Sequence, residues 1–287
     1  MGNPFIPFPR CENIIIVGDA AAEYLGALRI YGRGLIGGDV PSMELLHPME
    51  KHLECVSCFL NDPTQVLLPA VRRMKANFVV LEENGSADFN PAAGREVLEK
   101  EGISVKILDV RGSTESVLRR ASKLFGEEKQ AERIIRERTE RLAALDDVRK
   151  SIRKGQKAAI FLAIRSPVRH ESYVFRISER SALSQLLTNT FAIENINVRP
   201  NAEERIPGIQ ELDDLSDLFE KNPDLIVYTG DAAACGQKTA EFIWKHPQFA
   251  ECNAVKNGRI YGAPYYCHAL DLRRHEILEA WSDVLAD

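Results

Sequence analysis

The sequence predicts an α/β protein of two lobes, each with a mostly parallel sheet, joined by one long helix. On both sides of the chain's middle, short apolar, β-branched runs alternate with amphipathic segments, which is typical of parallel sheets covered by helices. Between them lies a charged segment, residues 127–155, with neither a proline nor an internal glycine. Since a helix rises 1.5 Å per residue, this segment would span roughly 40 Å.

The first predicted lobe, residues 1–126, opens with a strand at 13–18, where "NIIIVG" is apolar, β-branched and closed by glycine. Helix ends follow from capping residues: Asp62 precedes Pro63 at one helix start, and Gly102 closes another helix. The remaining elements are predicted in this order: helix 19–30, strand 32–38, helix 62–76, strand 77–85, helix 90–102, strand 103–110 and helix 113–126.

The middle segment, 127–155, keeps an approximate i, i+3, i+4 apolar stripe that Arg138 interrupts. It could be a coiled-coil or dimer helix, but a rigid connector explains better why the alternation restarts after it. The second lobe, 156–287, is predicted to contain strands and helices in alternation: strand 157–164, helix 178–191, a short strand or loop at 193–198, helix 213–222, strand 223–230, helix 235–246, strand 258–266 and helix 270–286.

Composition and charge exclude several classes of function. Apolar residues make up 45% and charged residues 28% of the chain, as in soluble globular proteins. A net charge of −5 without a basic stripe argues against nucleic-acid binding. No G-x-G-x-x-G, Walker A or G-x-S-x-G motif is present, and "GDAAAEYLG" follows the first strand where a dinucleotide-binding loop would stand.

Location is predicted only conditionally. No segment approaches the ~20 apolar residues of a membrane span, and the N-terminus lacks the pattern of a secretory signal. The protein is expected in the cytoplasm if Met1 is the native start, and in the periplasm or at the cell surface if a leader was trimmed. Six cysteines in 287 residues favour free thiols over a disulfide framework.

Four passages carry a family resemblance: "ENIIIVGDAAAEYLGALRI", "LEKEGISVKILDVRGSTESVLRRASKLFGEEKQAERI", "NPDLIVYTG" and "FAECNAVKNGRIYGAP". In their order and spacing, the chain resembles the substrate-binding proteins of ABC importers for cobalamin, haem and iron–siderophore complexes. These proteins have two Rossmann-like lobes joined by one long helix. The resemblance implies a non-catalytic, monomeric protein without an intrinsic cofactor. It would bind a metal chelate or tetrapyrrole-type ligand in the cleft between its lobes, for ABC-type import.

The loops that follow the strands are expected to face that ligand, as in open parallel sheets. In the first lobe they include Asp39, and Phe59 aligns with a position where cobalamin binders place a stacking aromatic residue; a role in the core is the alternative. In the second lobe, arginine, histidine and tyrosine side chains could bind carboxylates or phosphates of the ligand, or belong to a solvated loop. These candidates are Arg165, Arg169, His170, Tyr173, Tyr265, Tyr266 and His268. Of the two adjacent tyrosines, at most one would face the ligand if the strand continues through both.

A second set of candidates lies in "HPMEKHLECVSCF", residues 47–59, predicted to be a loop that leads into the helix starting at Asp62. His47, His52, Cys55 and Cys58 have ligand types that zinc prefers, although H-x4-H-x2-C-x2-C is not a standard spacing. The cysteines could also be a redox pair, although they stand ahead of the capped helix rather than at its start. The alternative functions are therefore a cytoplasmic metal or cofactor carrier on the same scaffold, or a thiol redox protein.

One departure from the family bears on the partner. Importer-type binding proteins present a surface glutamate on each lobe to the ABC permease. Here those positions hold Gln65 and, near the second, Ser216, although the aspartates Asp213, Asp214 and Asp217 stand close to the latter. Docking to a conventional permease is therefore weakened at the first lobe, which keeps the carrier alternative open.

Overall fold

A computed structural model describes residues 10–37, 50–165, 172–197, 204, 208–212, 214–262 and 271–286. The chain divides into two compact units, Met1–Asp39 with Met43–Thr139, and Val40–Ser42 with Glu140–Asp287. The division falls inside the long helix. The three-part boundaries predicted from the sequence, at 126 and 155, stay a prediction.

The first unit contains a five-stranded sheet in the order β5-β4-β2-β6-β7. Every neighbouring pair in it is parallel, as the sequence predicts. Its central strand consists of four apolar, β-branched residues that are fully buried, because helices cover both of its faces. A separate two-stranded parallel sheet pairs β1 with β3. The strands are β1 Arg10–Cys11, β2 Ile14–Val17, β3 Ile30–Tyr31, β4 Gly34–Ile36, β5 Lys51–Glu54, β6 Phe78–Glu83 and β7 Val105–Asp109.

Helices connect these strands, and one of them begins at the predicted cap Asp62. Asp62 accepts a hydrogen bond from Gln65 N at 2.8 Å and so caps the helix that starts with Pro63. The α-helices are α1 Asp19–Ala27, α2 Val56–Asn61, α3 Pro63–Met74, α4 Arg95–Lys100, preceded by the 3-10 turn Pro91–Gly94, α5 Thr114–Lys123 and α6 Glu128–Ser151.

The long helix α6 has 24 residues, which corresponds to about 36 Å. Arg138, which interrupts its apolar stripe, is buried and donates to Glu115 Oε1 at 2.9 Å. The interruption is therefore a paired charge rather than a solvent-exposed position. In the second unit, Leu142 and Leu145 pack against the core cluster that contains Trp281.

The second unit holds a six-stranded sheet in the order β11-β9-β8-β12-β13, with β10 also pairing with β8. The pairs β8–β12, β12–β13 and β10–β8 are parallel, whereas β9 is antiparallel to both β8 and β11. The sheet is therefore mixed, and the sequence did not predict strands β9 and β11. The strands are β8 Lys157–Arg165, β9 Ser172–Ile177, β10 Glu194–Asn195, β11 Ile209–Glu211, β12 Leu225–Gly230 and β13 Ile260–Gly262.

Alternate residues of β8 belong to two core clusters. Ile160 and Leu162 pack with Trp281 in one cluster, and Phe161 and Ala163 pack in the other. Both faces of the strand are thus covered, which explains its continuous apolar run. The surrounding helices are α7 Ala182–Phe191, α8 Ser216–Glu220, α9 Ala232–Lys245, the 3-10 turn Pro247–Glu251, α10 Asn253–Lys256 and α11 Arg274–Ala286. Among the helices of the described residues, none combines the length and apolar character needed to cross a bilayer.

Candidate functional site

The carboxyl ends of the parallel strands in the first unit bring several polar side chains to one edge of the sheet. In open α/β sheets this edge is where ligands bind. The chain leaves β2 at Gly18, β5 at Cys55 and β6 at Asn84, and these positions bound the candidate site.

Glu82 occupies the crevice beside the N-terminus of α1. Its buried carboxylate accepts a hydrogen bond from Ala21 N at 2.9 Å and another from Asn84 Nδ2 at 2.9 Å. A Cβ atom at Gly18 would lie 2.5 Å from Glu82 Oε2, so only glycine leaves room for this carboxylate. In dinucleotide-binding proteins a pyrophosphate uses the N–H groups at this point. Here the Ala21 N–H group is already taken by the side chain of Glu82.

The loops after β6 and β7 are held by a second polar network. Asn90 Nδ2 donates to both carboxylate oxygens of Glu83 at 3.0 Å. Arg111 donates from Nε and Nη2 to the two oxygens of Asp109, each at 2.9 Å. Hydrogen bonding from Arg111 holds the pKa of Asp109 at about 2, below the ordinary value of an aspartate. The network orders both loops beside the candidate site.

The depressed pKa of Asp109 predicts a pH-dependent contribution to stability. Because the pKa is lower in the folded protein, the ionised carboxylate stabilises the fold above pH ~4, and this contribution is lost as the pH falls towards 2. Both side chains are partly exposed, so solvent screening limits the effect at neutral pH to about 1 kcal/mol or less. Urea unfolding should show Asp109→Asn less stable than wild type at pH 7 and equal to it near pH 2. Asp88→Asn, at an exposed position, is the control for the loss of one charge, and a deficit that persists at pH 2 would contradict this prediction.

The structure corrects the prediction that residues 47–59 form a loop. Residues 51–54 form β5, which pairs with β4, and residues 56–61 form α2. Cys55 stands between them as the cap of α2, and its Sγ accepts a hydrogen bond from Cys58 N at 3.4 Å. A cysteine at a helix cap is not a usual capping signal, so the short helix was missed.

The two cysteines and a neighbouring carboxylate form a cluster. Ligand atoms of Glu54, Cys55 and Cys58 all lie within 4.8 Å of one another. His52 is outside this cluster, with Nε2 at 3.4 Å from the carbonyl oxygen of Gly37, and His47 lies outside the described residues. Of the predicted metal ligands, the structure therefore brings together the two cysteines and adds Glu54, which the sequence reasoning missed.

The thiol of Cys58 in this cluster is not activated as a nucleophile. The hydrogen bond between Cys58 and Cys55, together with desolvation and nearby negative charge, raises the pKa of the Cys58 thiol to about 11. Thiol–disulfide oxidoreductases need the opposite shift, because their reactive group is the thiolate. Cys235 is buried, and desolvation raises the pKa of its thiol to about 12. The thiol redox hypothesis is therefore the one that this electrostatic environment supports least.

A surface groove of about 530 Å³ adjoins the cluster. Gln65, one of the two positions predicted to face a permease, lines this groove together with Arg73. The other residues along it are Leu53, Glu54, Cys58, Asn61, Asp62, Val66, Pro69 and Ala70.

Phe59 lies in the core of the first unit. Its side chain has no accessible surface and packs in the cluster that contains Leu67 and Leu98. A Cβ atom at Gly94 would lie 2.7 Å from its ring. The burial supports the core alternative for Phe59, because in this geometry the ring cannot stack on a ligand.

In the second unit, the loop predicted after the first strand covers residues 165–175; of these, 172–175 lie in strand β9, and 166–171 lie outside the described residues. Ser172 pairs with Arg165 and Tyr173 with Ile164, so β9 runs antiparallel beside the carboxyl end of β8. Tyr173 is 40% exposed there, and Ser172 Oγ donates to Asp231 Oδ2 at 3.3 Å. Tyr173 is thus the predicted ligand residue of this unit whose side chain the structure describes. The side chain of Arg165 and the other predicted ligand residues lie outside the described part: Asp39, Arg169, His170, Tyr265, Tyr266 and His268.

The structure describes two further features that were predicted for the second unit. Helix α9 begins at Ala232, three residues before its predicted start, because Asp231 caps it by accepting from Ala234 N at 3.1 Å. Ser216, near the second predicted docking position, begins α8, where its hydroxyl donates to Asp214 Oδ1 at 3.0 Å. Asp213 is outside the described residues.

Solved structures match the chain over nearly its whole length. A periplasmic haem-binding protein, RhuT from Roseiflexus sp. RS-1, matches with a TM-score of 0.65 and 14% identity, over 96% of this chain and 98% of its own. The chain has the two-lobe fold of the periplasmic binding proteins. The iron-uptake system-binding protein FeuA from Bacillus subtilis matches this periplasmic-binding-protein fold with a TM-score of 0.62 and 18% identity, over 95% and 94% of the two chains. A periplasmic haem-binding protein from Pseudomonas aeruginosa matches with a TM-score of 0.61 and 15% identity, over 97% and 92%.

Comparisons of sequence find no match for the chain. No model of a protein family matches the chain, and no curated protein matches it. The likeness to the solved structures therefore establishes the fold, and confirms the α/β architecture predicted from the alternation of strands and helices.

Proposed function

We propose that this protein is a non-catalytic binding protein that captures a small ligand for ABC-type import. The observation that carries the proposal is the periplasmic-binding-protein fold, matched over 96% of this chain and 98% of the haem-binding RhuT chain. Fold alone does not imply function. The proposal gains support from three of the matched proteins, two of which are haem-binding proteins and one an iron-uptake system-binding protein.

The ligand class that we propose is a chelated metal or a tetrapyrrole: an iron–siderophore complex, haem or cobalamin. FeuA from Bacillus subtilis has also been solved with the ferric siderophore bacillibactin, with a TM-score of 0.59 to this chain. These ligands carry carboxylates, catecholates or amides around an apolar or metallic centre. An exposed tyrosine such as Tyr173 offers such a ligand both an apolar ring and a hydroxyl. The position of the ligand in the cleft between the lobes, and the roles of the other predicted ligand residues, stay predictions.

The proposed partner is an ABC permease. Gln65 lines an exposed groove and Ser216 begins a helix on the second unit. Neither carries the charge of the glutamate found at these positions in the family that the sequence resembles. Ligand capture does not depend on either position. The cytoplasmic carrier remains the alternative because Cys55 and Cys58 are accessible free thiols.

The proposal is tested by direct binding of haem, cobalamin and several ferric siderophores to the purified protein, followed by calorimetry and thermal unfolding. We expect one class to bind at one ligand per chain and to raise Tm. A ligand that binds only the folded state at 100 times its Kd adds about 2.7 kcal/mol to the free energy of unfolding. If no chelate in the panel binds or shifts Tm, the proposed function fails.

A pair of variants tests the contribution of Tyr173. Tyr173→Ala removes an exposed ring at the carboxyl end of β8 and is expected to weaken binding of that ligand by roughly tenfold, the effect of about 1.4 kcal/mol. Val148→Ala removes a comparably exposed apolar side chain from α6 and should leave binding unchanged. Equal affinities of Tyr173→Ala and the control would remove Tyr173 from the proposed site.

A further inference from the structure

We propose that Glu54, Cys55 and Cys58 form a binding site for one thiophilic divalent cation, of which zinc is the type, on the surface of the first unit. The three residues supply two sulfur ligands and one carboxylate oxygen, a donor set that zinc accepts. This site is separate from the capture of a chelate and does not rest on the proposed function.

The separations between the ligand atoms fit a tetrahedral ion after a small adjustment. With metal–sulfur bonds of about 2.3 Å and metal–oxygen bonds of about 2.1 Å, tetrahedral ligand atoms lie about 3.6–3.8 Å apart. The three ligand atoms here lie within 4.8 Å of one another. Closing a gap of about 1 Å needs rotation of side chains alone, and all three are at least partly exposed and have room to rotate.

The local backbone already prepares a sulfur ligand. Cys58 N donates to Cys55 Sγ at 3.4 Å, and this contact would stabilise the negative charge of a metal-bound thiolate. Glu54 Oε1 accepts from Cys55 N at 3.1 Å, which keeps the carboxylate beside the first sulfur. Phe59, which follows Cys58, anchors α2 in the core and so holds the position of the second sulfur.

Three protein ligands leave one position of a tetrahedral ion open. In zinc proteins an open fourth position, taken by water or substrate, is typical of catalytic sites, whereas sites that support the fold are closed by four protein ligands. The open position here would adjoin the groove of about 530 Å³ that Glu54 and Cys58 line with Arg73. The core beside it, around Phe59 and Leu67, is packed from apolar side chains. We therefore infer that the fold does not depend on the ion; when the ion binds, the two thiol protons pass to the solvent.

The test uses the full chain, reduced with a phosphine and freed of metal, and titrated with Co²⁺ as a spectroscopic probe and then with Zn²⁺. We expect one Co²⁺ per chain, with the sulfur-to-cobalt charge-transfer band and the visible bands of a tetrahedral site, both removed by Zn²⁺. Metal analysis after dialysis against Zn²⁺ should give the same stoichiometry. The variant with both Cys55→Ser and Cys58→Ser should lose the charge-transfer band and keep wild-type Tm. Glu54→Gln should keep the sulfur band and weaken binding by roughly tenfold or more.

Cys252→Ala, which removes a buried thiol elsewhere, is the matched control and should bind as wild type does. A reduced protein that shows no sulfur-to-cobalt band would overturn the proposal. So would a band that survives in the double serine variant, because the metal would then bind at other cysteines. No chelate is present in this titration, so its failure leaves the proposed ligand capture standing, and the reverse also holds.

Discussion

Gly18→Ala is expected to destabilise the protein by about 3 kcal/mol or more. Gly18 has φ 121° and ψ 135°, a backbone conformation that residues with a side chain rarely adopt. The added Cβ would also lie 2.5 Å from Oε2 and 2.8 Å from Cδ of Glu82. Glu82 cannot move away cheaply, because its carboxylate is buried and accepts the hydrogen bond of Ala21 N. The free-energy costs of backbone strain and of overpacking therefore add at Gly18.

Gly102→Ala separates these two costs. Gly102 also has a positive φ, 75°, but a Cβ there would meet nothing within 4 Å. Only the backbone strain remains, which costs about 1–2 kcal/mol. Denaturant unfolding of both variants gives the comparison, and equal losses would show that the crevice beside α1 can relax and that Glu82 does not confine Gly18.

Asp217→Ala is expected to destabilise the second unit by about 3–5 kcal/mol. Arg176 on β9 is fully buried and donates to both carboxylate oxygens of Asp217 at 2.7 Å, and also to the carbonyl oxygen of Asp214. Removing the carboxylate leaves a buried guanidinium without its counter-charge, which costs far more than the loss of the hydrogen bonds alone.

The opposite truncation should cost less. Arg176→Met removes the buried charge and keeps an unbranched side chain in the core. The Asp217 side chain, 32% exposed, can then be solvated. Glu132→Ala is the surface control, because it breaks an equally short pair with Arg119 whose side chains are about half exposed, and its loss of stability should be much smaller. Thermal and urea unfolding of the three variants measures the order of their losses in stability. A loss for Asp217→Ala no larger than that of Glu132→Ala would contradict the prediction.

The same arginine shows why part of the fold could not be predicted. The segment "SYVFRI" has two exposed residues at its start and a charged residue, Arg176, next to its end. It therefore lacks the alternation that indicates a strand. It becomes strand β9 because a partner 41 residues away, Asp217, neutralises Arg176. The segment "KHLE" is strand β5 for a related reason. As an edge strand it needs backbone pairing with β4 on one side and little apolar surface.

For similar reasons, only part of the candidate site could be predicted from the sequence. The pairing of Cys55 with Cys58 follows from their Cys-x-x-Cys spacing, which is typical of metal or redox pairs. The inclusion of Glu54, the exclusion of His52 and the burial of Phe59 depend on how β5 and α2 join, and no periodicity in the sequence reports that junction.

The amino-acid sequence on its own determines the α/β class, the parallel central strands, the helix cap at Asp62 and the long helix α6. These features depend on local periodicity and on hydrogen bonds between residues a few positions apart, which a linear sequence displays directly. Tertiary structure alone decided that Glu82 fills the crevice at Gly18, that Phe59 belongs to the core and that Glu54 joins the two cysteines. Two of these depend on packing between residues distant in the chain, and the third on the turn between a strand and a helix, so each exists only once the sheet has formed.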